Sequence, residues 1–271
     1  MGKDSRIEWT HHTFNPWWGC TKVSPACKHC YAETWAKRVG AKVWGARSPR
    51  RFFSDHHWAE PIKWNRDALD DGARRRVFCA SMADVFEDRR DLDRYRDRLW
   101  QLIAETPALD WLLLSKRPEH AARLGPLQTW PRNMWFGTTV ETQAWAERRI
   151  PWLADVPVAT KFVSCEPLLG AVDLVPWLGV SIHWVIAGGE SGGKARASDP
   201  RWFQSLRDQC IAADTPFHFK QWGNWTPARN GDGSGSYRKC DMVRMSKVAA
   251  GRLLDGITWD QYPSEAPGNH D

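Results

Sequence analysis

From residue 77 onward the chain repeats one pattern: a short apolar run, a polar or Gly-rich end, then a gap. The runs are VFCAS (77–81), WLLLS (111–115), MWFGTTV (134–140), KFVSC (161–165), HWVIAGG (183–189) and FHFKQW (217–222). Most gaps are long enough for a helix. Strands that alternate with helices pair in parallel, and near-continuous apolar strands are buried on both faces. The pattern predicts an α/β fold: a partial or complete (β/α) barrel of six to seven parallel strands, with a doubly wound sheet as the alternative. No G-x-G-x-x-G follows the first strand, which weighs against a dinucleotide fold.

Helical periodicity fills three gaps. Residues 91–105 place Leu92, Tyr95, Leu99, Leu102 and Ile103 on one face, and 142–154 do the same with Trp145, Trp152 and Leu153. In 199–212, Asp199 is the expected N-cap and Pro200 the first helical residue, with Phe203, Leu206 and Cys210 on one side. We expect a barrel domain over 1–222 and an extension over 223–271 that packs on it. That extension holds the Gly/Ser-rich run 228–239 and LLDGITW, whose D-G turn between apolar flanks predicts a hairpin.

In a (β/α) barrel the chemistry sits at the C-terminal ends of the strands. Those ends read SMAD (81–84), SKRP (115–118), TVE (139–141), SCEP (164–167), GGESGG (188–193) and KQWG (220–223). Polar groups on so many strand ends predict a functional mouth. Lys116, Arg117 and Lys220 would bring it positive charge suited to phosphate or carboxylate.

The charge is also uneven. The net charge is +6, and residues 37–51 hold six Lys or Arg and no acid. This fits a polyanionic partner, and a solvated basic loop is the plainer reading. Several of the 19 tryptophans fall in polar segments: Trp17, Trp18, Trp44, Trp222 and Trp225. They are core residues or faces on which bases stack. No run of eighteen apolar residues exists, and MGKDSRIEWTHHTF lacks a signal-peptide core. We therefore expect a cytoplasmic protein with no membrane partner.

In the reducing cytosol, clustered cysteines point to metal or catalysis rather than disulfides. The stretch GCTKVSPACKHCYAE (19–33) spaces Cys20, Cys27 and Cys30 as C-x6-C-x2-C. Structural zinc wants four ligands, and His11, His12 or His29 could complete such a site. A 4Fe–4S cluster held by three thiolates leaves one iron open. A disulfide with an odd thiol is the third option. Cys79 and Cys210 read as packing residues.

The three-cysteine loop, the aromatic after its third cysteine and the βα succession resemble the radical S-adenosylmethionine (SAM) superfamily. The first gap is six residues here and usually three there. More closely, NPWWGCTKVSPACKHCYA, SMADVF, SKRP, FVSCEPLLG, WVIAGGESG and KQWG, spanning 15–223, resemble a phage-associated three-Cys-motif family of poorly assigned activity. The resemblance implies a partial or complete (β/α) barrel of the radical SAM type with its cluster loop at 19–31. It also implies a 4Fe–4S cluster on Cys20, Cys27 and Cys30, shielded by Tyr31. The cluster would cleave SAM to a 5′-deoxyadenosyl radical. Candidate SAM contacts are then Ser81, Asp84, Ser115, Thr139 and Glu141, and Gly188, Gly189 and Glu190 would bind SAM or substrate. By its own position, Cys165 at a strand end beside Glu166, with Lys116 in the same mouth, is either a hydrogen-atom donor to a product radical or a small buried hydrophobe.

The leading expectation is thus a radical SAM enzyme acting on a nucleic acid, in base modification or DNA lesion repair. A flavodoxin or ferredoxin would supply electrons, and a protein partner could complete the site. The alternatives are a zinc-bearing nucleic-acid-binding module without catalysis and a metal-dependent hydrolase. The hydrolase lacks a His/Asp set on the strand ends.

Overall fold

A computed structural model describes residues 2–127, 129–228 and 242–263. Most of the Gly/Ser-rich run and Cys240 lie outside the described residues. The chain divides into two compact units, Met1–Thr138 with Asp155–Val158, and Thr139–Ala154 with Ala159–Asp271. The fold is α/β, of the partial (β/α) barrel type. Among the described residues seven strands pair in parallel, four in the first unit and three in the second.

In the first unit, β1 (His12–Thr13), β2 (Arg75–Cys79), β3 (Leu109–Ser115) and β4 (Met134–Thr139, its last residue in the second unit) lie in that order. Every residue of β4 is buried, as are all of β3 except Leu114. That is the burial expected of a parallel strand covered on both faces. Helices α1 (Tyr31–Arg38), α2 (Glu60–Asp70) and α3 (Asp93–Glu105) occupy the crossovers. α3 buries Leu99, Leu102 and Ile103 as its periodicity predicts. It also buries Arg96, whose guanidinium donates to the carbonyls of Val85 (2.8 Å) and Glu87 (2.7 Å). Tyr95 is half-buried and stacks on Phe52, with centroids 4.0 Å apart.

A two-residue antiparallel ribbon closes the first long excursion. Trp17 pairs with Phe52 and Trp18 with Arg51, so 19–50 form one loop that carries the cysteines, α1 and most of the basic run. Trp17 and Trp222 are core residues, 0% and 2% exposed. Their sequence surroundings are polar, but each indole packs inward, so neither offers a face to a base.

In the second unit, α4 (Gln143–Ala154) precedes β5 (Thr160–Cys165), followed by β6 (Trp184–Gly188), α5 (Pro200–Ala212) and β7 (Phe217–Gln221). α4 buries Ala146, Arg149, Ile150 and Leu153, whereas Trp152, placed on the same face by sequence, is half exposed. α5 begins as its sequence dictates. The Asp199 side chain accepts the Arg201 N–H, Pro200 occupies the first turn, and Phe203, Leu206 and Cys210 are fully buried. Burying a side chain the size of Phe203 stabilises the unit by about 1.5–3 kcal/mol.

The extension covers the edge of β7. Phe219 N–H donates to Trp259 O at 2.9 Å and Gln261 N–H to Phe217 O at 3.2 Å. A covered edge cannot pair with other chains. The expected hairpin is present, Leu253–Leu254 against Ile257–Thr258, with Asp255 and Gly256 both at positive φ as the turn requires. No helix of the described residues is long and apolar enough to cross a membrane.

Candidate functional site

The three cysteines stand on one short stretch between the ribbon and α1. Gly19 comes first, at φ +117°, with its N–H donating to Met82 O. A Cβ there would lie 2.4 Å from Val43 O, so the close approach requires glycine. Cys27 ends the one-turn helix Pro25–Cys27, and Cys30 directly precedes α1. All three thiols are free and half-buried.

Each thiol meets hydrogen-bond donors. Arg117 Nη1 donates to Cys20 Sγ at 3.7 Å, and Ser24 Oγ lies 3.9 Å from Cys27 Sγ. Burial pushes the Cys20 thiol up to about 12; Asp84 adds to the rise and Arg117 opposes it. Burial also raises Cys30, against backbone N–H groups at Glu33 and Ala32 and the charge of Lys116. At Cys27 burial is outweighed by Lys116 and by backbone donors at Val23 and Ser24, so its thiol lies below the ordinary range. Lys116 itself forms no ion pair among the described residues.

Behind the loop stands a buried polar scaffold. The Asp84 carboxylate accepts from Ser115 Oγ (2.7 Å), Lys116 N–H (3.0 Å), Phe86 N–H (3.1 Å) and Arg117 Nη1 (2.9 Å). Burial would raise its pKa, but these donors hold it below the usual carboxylate range. Arg117 Nη2 then donates to Thr21 O at 2.6 Å. Asp84 and Ser115 are thus brought together, but onto Arg117, which reaches the cysteine loop. Ser81 meets Asn15 Nδ2 at 3.1 Å, and its carbonyl accepts from Tyr31 Oη at 3.0 Å.

A second buried arginine organises the far side of the loop. Arg50 donates to both carboxylate oxygens of Glu87 (2.9 and 2.7 Å) and to the carbonyls of Val43, Gly45 and Ser48. The basic run 37–51 is therefore not uniformly solvated, because Arg50 is 5% exposed. Sequence reasoning missed Asn15, Arg50 and Glu87 altogether. Arg50 and Glu87 lie far apart in the chain, so no local pattern announces the pair.

The remaining candidates belong to the second unit. Glu141 and Arg149, 0% and 1% exposed, pair at 2.8 Å, and Arg149 also donates to Thr139 O. The Thr139 hydroxyl is buried without a partner among the described residues. Glu166 accepts from Lys220 Nζ at 2.7 and 3.0 Å, and Glu190 accepts the Arg196 N–H and Nε, each at 2.8 Å. Cys165 is fully buried, which raises its thiol well above the usual range. A Cβ on Gly189 would lie 1.9 Å from Trp222 O, whereas one on Gly188 meets only ordinary contacts at 3.5 Å. Gly189 is thus required by backbone packing.

The candidate site is thus a three-cysteine loop backed by buried arginines on a parallel α/β scaffold. The chain belongs to the family described as protein of unknown function DUF5131, whose profile matches residues 4–263. No curated protein matches the sequence. Among solved structures it is similar to a spore photoproduct lyase mutant with bound AdoMet and dinucleoside spore photoproduct. The identity is 13% and the TM-score 0.48, over 82% of this chain and 59% of that one. Spore photoproduct lyase complexed with dinucleoside spore photoproduct gives 14% and 0.46, over 81% and 58%. The chain thus spans less than two thirds of the structures it resembles.

Proposed function

We propose that this protein is a radical SAM enzyme in which Cys20, Cys27 and Cys30 hold a 4Fe–4S cluster, and that its substrate is a nucleic acid. When bound, the cluster supplies the electron that cleaves SAM to methionine and a 5′-deoxyadenosyl radical. The observation that carries this reading is the loop itself: three free thiols on one stretch, each half-buried and each met by hydrogen-bond donors.

Such a donor set suits the proposed group. Thiolates are the soft ligands of iron–sulfur clusters, and N–H donors and nearby cations tune them. Ligands that bind separate irons need not converge on a point as the four ligands of one zinc do. Among the described residues no three His, Cys, Asp or Glu side chains are grouped so as to hold a metal ion.

The chain's own residues have distinct tasks in this proposal. Asp84, held by the Ser115 hydroxyl and by backbone N–H groups, orients Arg117. Arg117 fixes Thr21 and donates toward Cys20. Lys116 favours thiolate at Cys27 and Cys30. Tyr31, 55% exposed and tethered to the Ser81 carbonyl, would cover one side of the bound cluster. The substrate reading rests on the net charge of +6 and its concentration in 37–51.

The test is anaerobic purification with assay of iron, sulfide and zinc. The expected result is a brown protein with about four irons per chain, lost in Cys30→Ala. SAM and dithionite should then release 5′-deoxyadenosine. A colourless protein with stoichiometric zinc and no iron overturns the proposal in favour of the zinc-bearing binding module.

A further inference from the structure

We propose that residues 38–51 form an ordered binding surface for single-stranded nucleic acid, with Arg38, Lys42, Arg47 and Arg51 as phosphate contacts. This deepens the substrate reading above, and its physical basis does not require the cluster.

All four side chains are exposed, and none forms an ion pair among the described residues. Surface cations are usually matched by neighbouring acids, but here the acids are already occupied. Glu33 is taken by Lys22 (2.6 Å) and Lys37 (2.7 Å), Glu87 by Arg50, and Asp91 by Arg89 (2.7 Å). The unmatched positive charge on this segment is available to an anion.

The backbone supports the same reading. Carbonyl oxygens repel phosphate, and a basic loop that exposes them binds it poorly. In this loop the carbonyls of Val43, Gly45 and Ser48 accept from Arg50, and those of Ala46 and Ser48 accept from Arg89. The carbonyls are thus drawn to two guanidiniums. The segment is ordered before any ligand arrives, which lowers the entropic cost of binding. Gly45 N–H donates to Cys20 O at 3.0 Å, so the surface adjoins the cysteine stretch.

Aromatic faces decide which polyanion fits. Arg51 lies over Trp18, 4.8 Å from the ring centroid, and 5.6 Å from that of Phe53. Trp35, one helical turn before Arg38, is 45% exposed, whereas Trp18 and Trp44 are half-buried and pack against the cluster of Ala32, Ala36, Val43 and Met82. An exposed indole beside unmatched cations suits a single strand, whose unpaired bases stack on aromatic faces while its phosphates meet Lys and Arg. A lipid surface or an acidic protein gives the indoles no bases to stack on.

The test is fluorescence anisotropy of labelled oligothymidylate with the anaerobically purified protein, titrated over a range of salt. If all four cations contact phosphates, log K against log[salt] should have a slope of about −3, from about −0.7 per contact. Each single change to Gln should reduce the slope by about 0.7. Trp35→Ala should weaken binding roughly tenfold. Arg132→Gln, an exposed arginine outside the segment, should change neither. Failure to bind at low salt, an unchanged affinity in the quadruple variant, or an equal preference for duplex overturns the proposal. So does binding to anionic vesicles in place of the oligonucleotide. Iron content reports separately on the cluster, so either reading can fail without the other.

Discussion

The two units use the same residue types at their strand ends to different effect. In the second unit the charges close on one another, Glu141 with Arg149, Glu166 with Lys220 and Glu190 with Arg196. In the first, the pair is a bridge. Asp84 holds one nitrogen of Arg117, and the other reaches Thr21 beside Cys20. Arg50 does the same from Glu87 toward Thr21 and the basic segment. A charged strand end is therefore a weak sign of a site until its partners are known. A pair with donors left over for a loop of free thiols is a stronger one.

The largest expected effect comes from breaking one buried pair in each unit. Asp84→Asn and Glu141→Gln each leave an arginine buried without its anion and should cost about 3–5 kcal/mol by urea denaturation. Only the first should also speed iodoacetamide labelling of Cys20 in iron-free protein, because Arg117, unlike Arg149, holds the cysteine loop. Equal labelling in both variants would break the comparison.

Next come the glycines. Gly189→Ala drives a Cβ into the Trp222 carbonyl and should destabilise by about 3 kcal/mol. Gly188→Ala should cost less than about 1 kcal/mol, because its new methyl meets only the Glu166 side chain and the Gln221 carbonyl at 3.5 Å. Differential scanning calorimetry separates the two. Similar melting temperatures would return Gly189 to the list of ligand-contact candidates. A smaller effect is expected at Glu166→Gln, about 1 kcal/mol and reduced by salt, because both members of that pair are partly solvated.

Much of the scaffold was legible because burial leaves a periodic trace. All six apolar runs became strands, and Asp199-Pro200 started its helix. What escaped was short or nonlocal. β1 has two residues, too few for any period, and it holds His12, which therefore sits in a strand. Trp152 reads as a core residue by spacing alone, but its helix turns it outward. Two gaps, 116–133 and 166–183, carry no helix longer than one turn among the described residues. At the candidate site, the cysteines were visible through their spacing. The pairings behind them were not: Asp84, Ser115 and Arg117 stood out only as strand-end residues, and Asp84 with Arg117, or Arg50 with Glu87, are matched only by folding.

The finest contrast lies in two histidines that perform one task. His11 Nδ1 accepts the Arg76 N–H at 2.8 Å, and the His11 N–H donates to Arg76 O at 3.0 Å. In the second unit His183 Nδ1 accepts the Lys161 N–H at 3.0 Å, and the His183 N–H donates to Lys161 O at 2.8 Å. Both rings must stay neutral at Nδ1. Burial lowers both pKa values, but His11 also faces Arg76, Arg75 and His12 and falls to about 4, whereas His183 faces Lys161 alone. The unfolded chain takes up a proton near pH 6.5, which the folded His11 refuses until about pH 4. Its contribution to stability is therefore full above about pH 6.5 and is lost as pH falls toward 4. Urea midpoints measured between pH 8 and pH 4 should decline over that window. His11→Asn should flatten the decline more than His183→Asn. Equal slopes in the two variants would show that the extra cations around His11 do not set its titration.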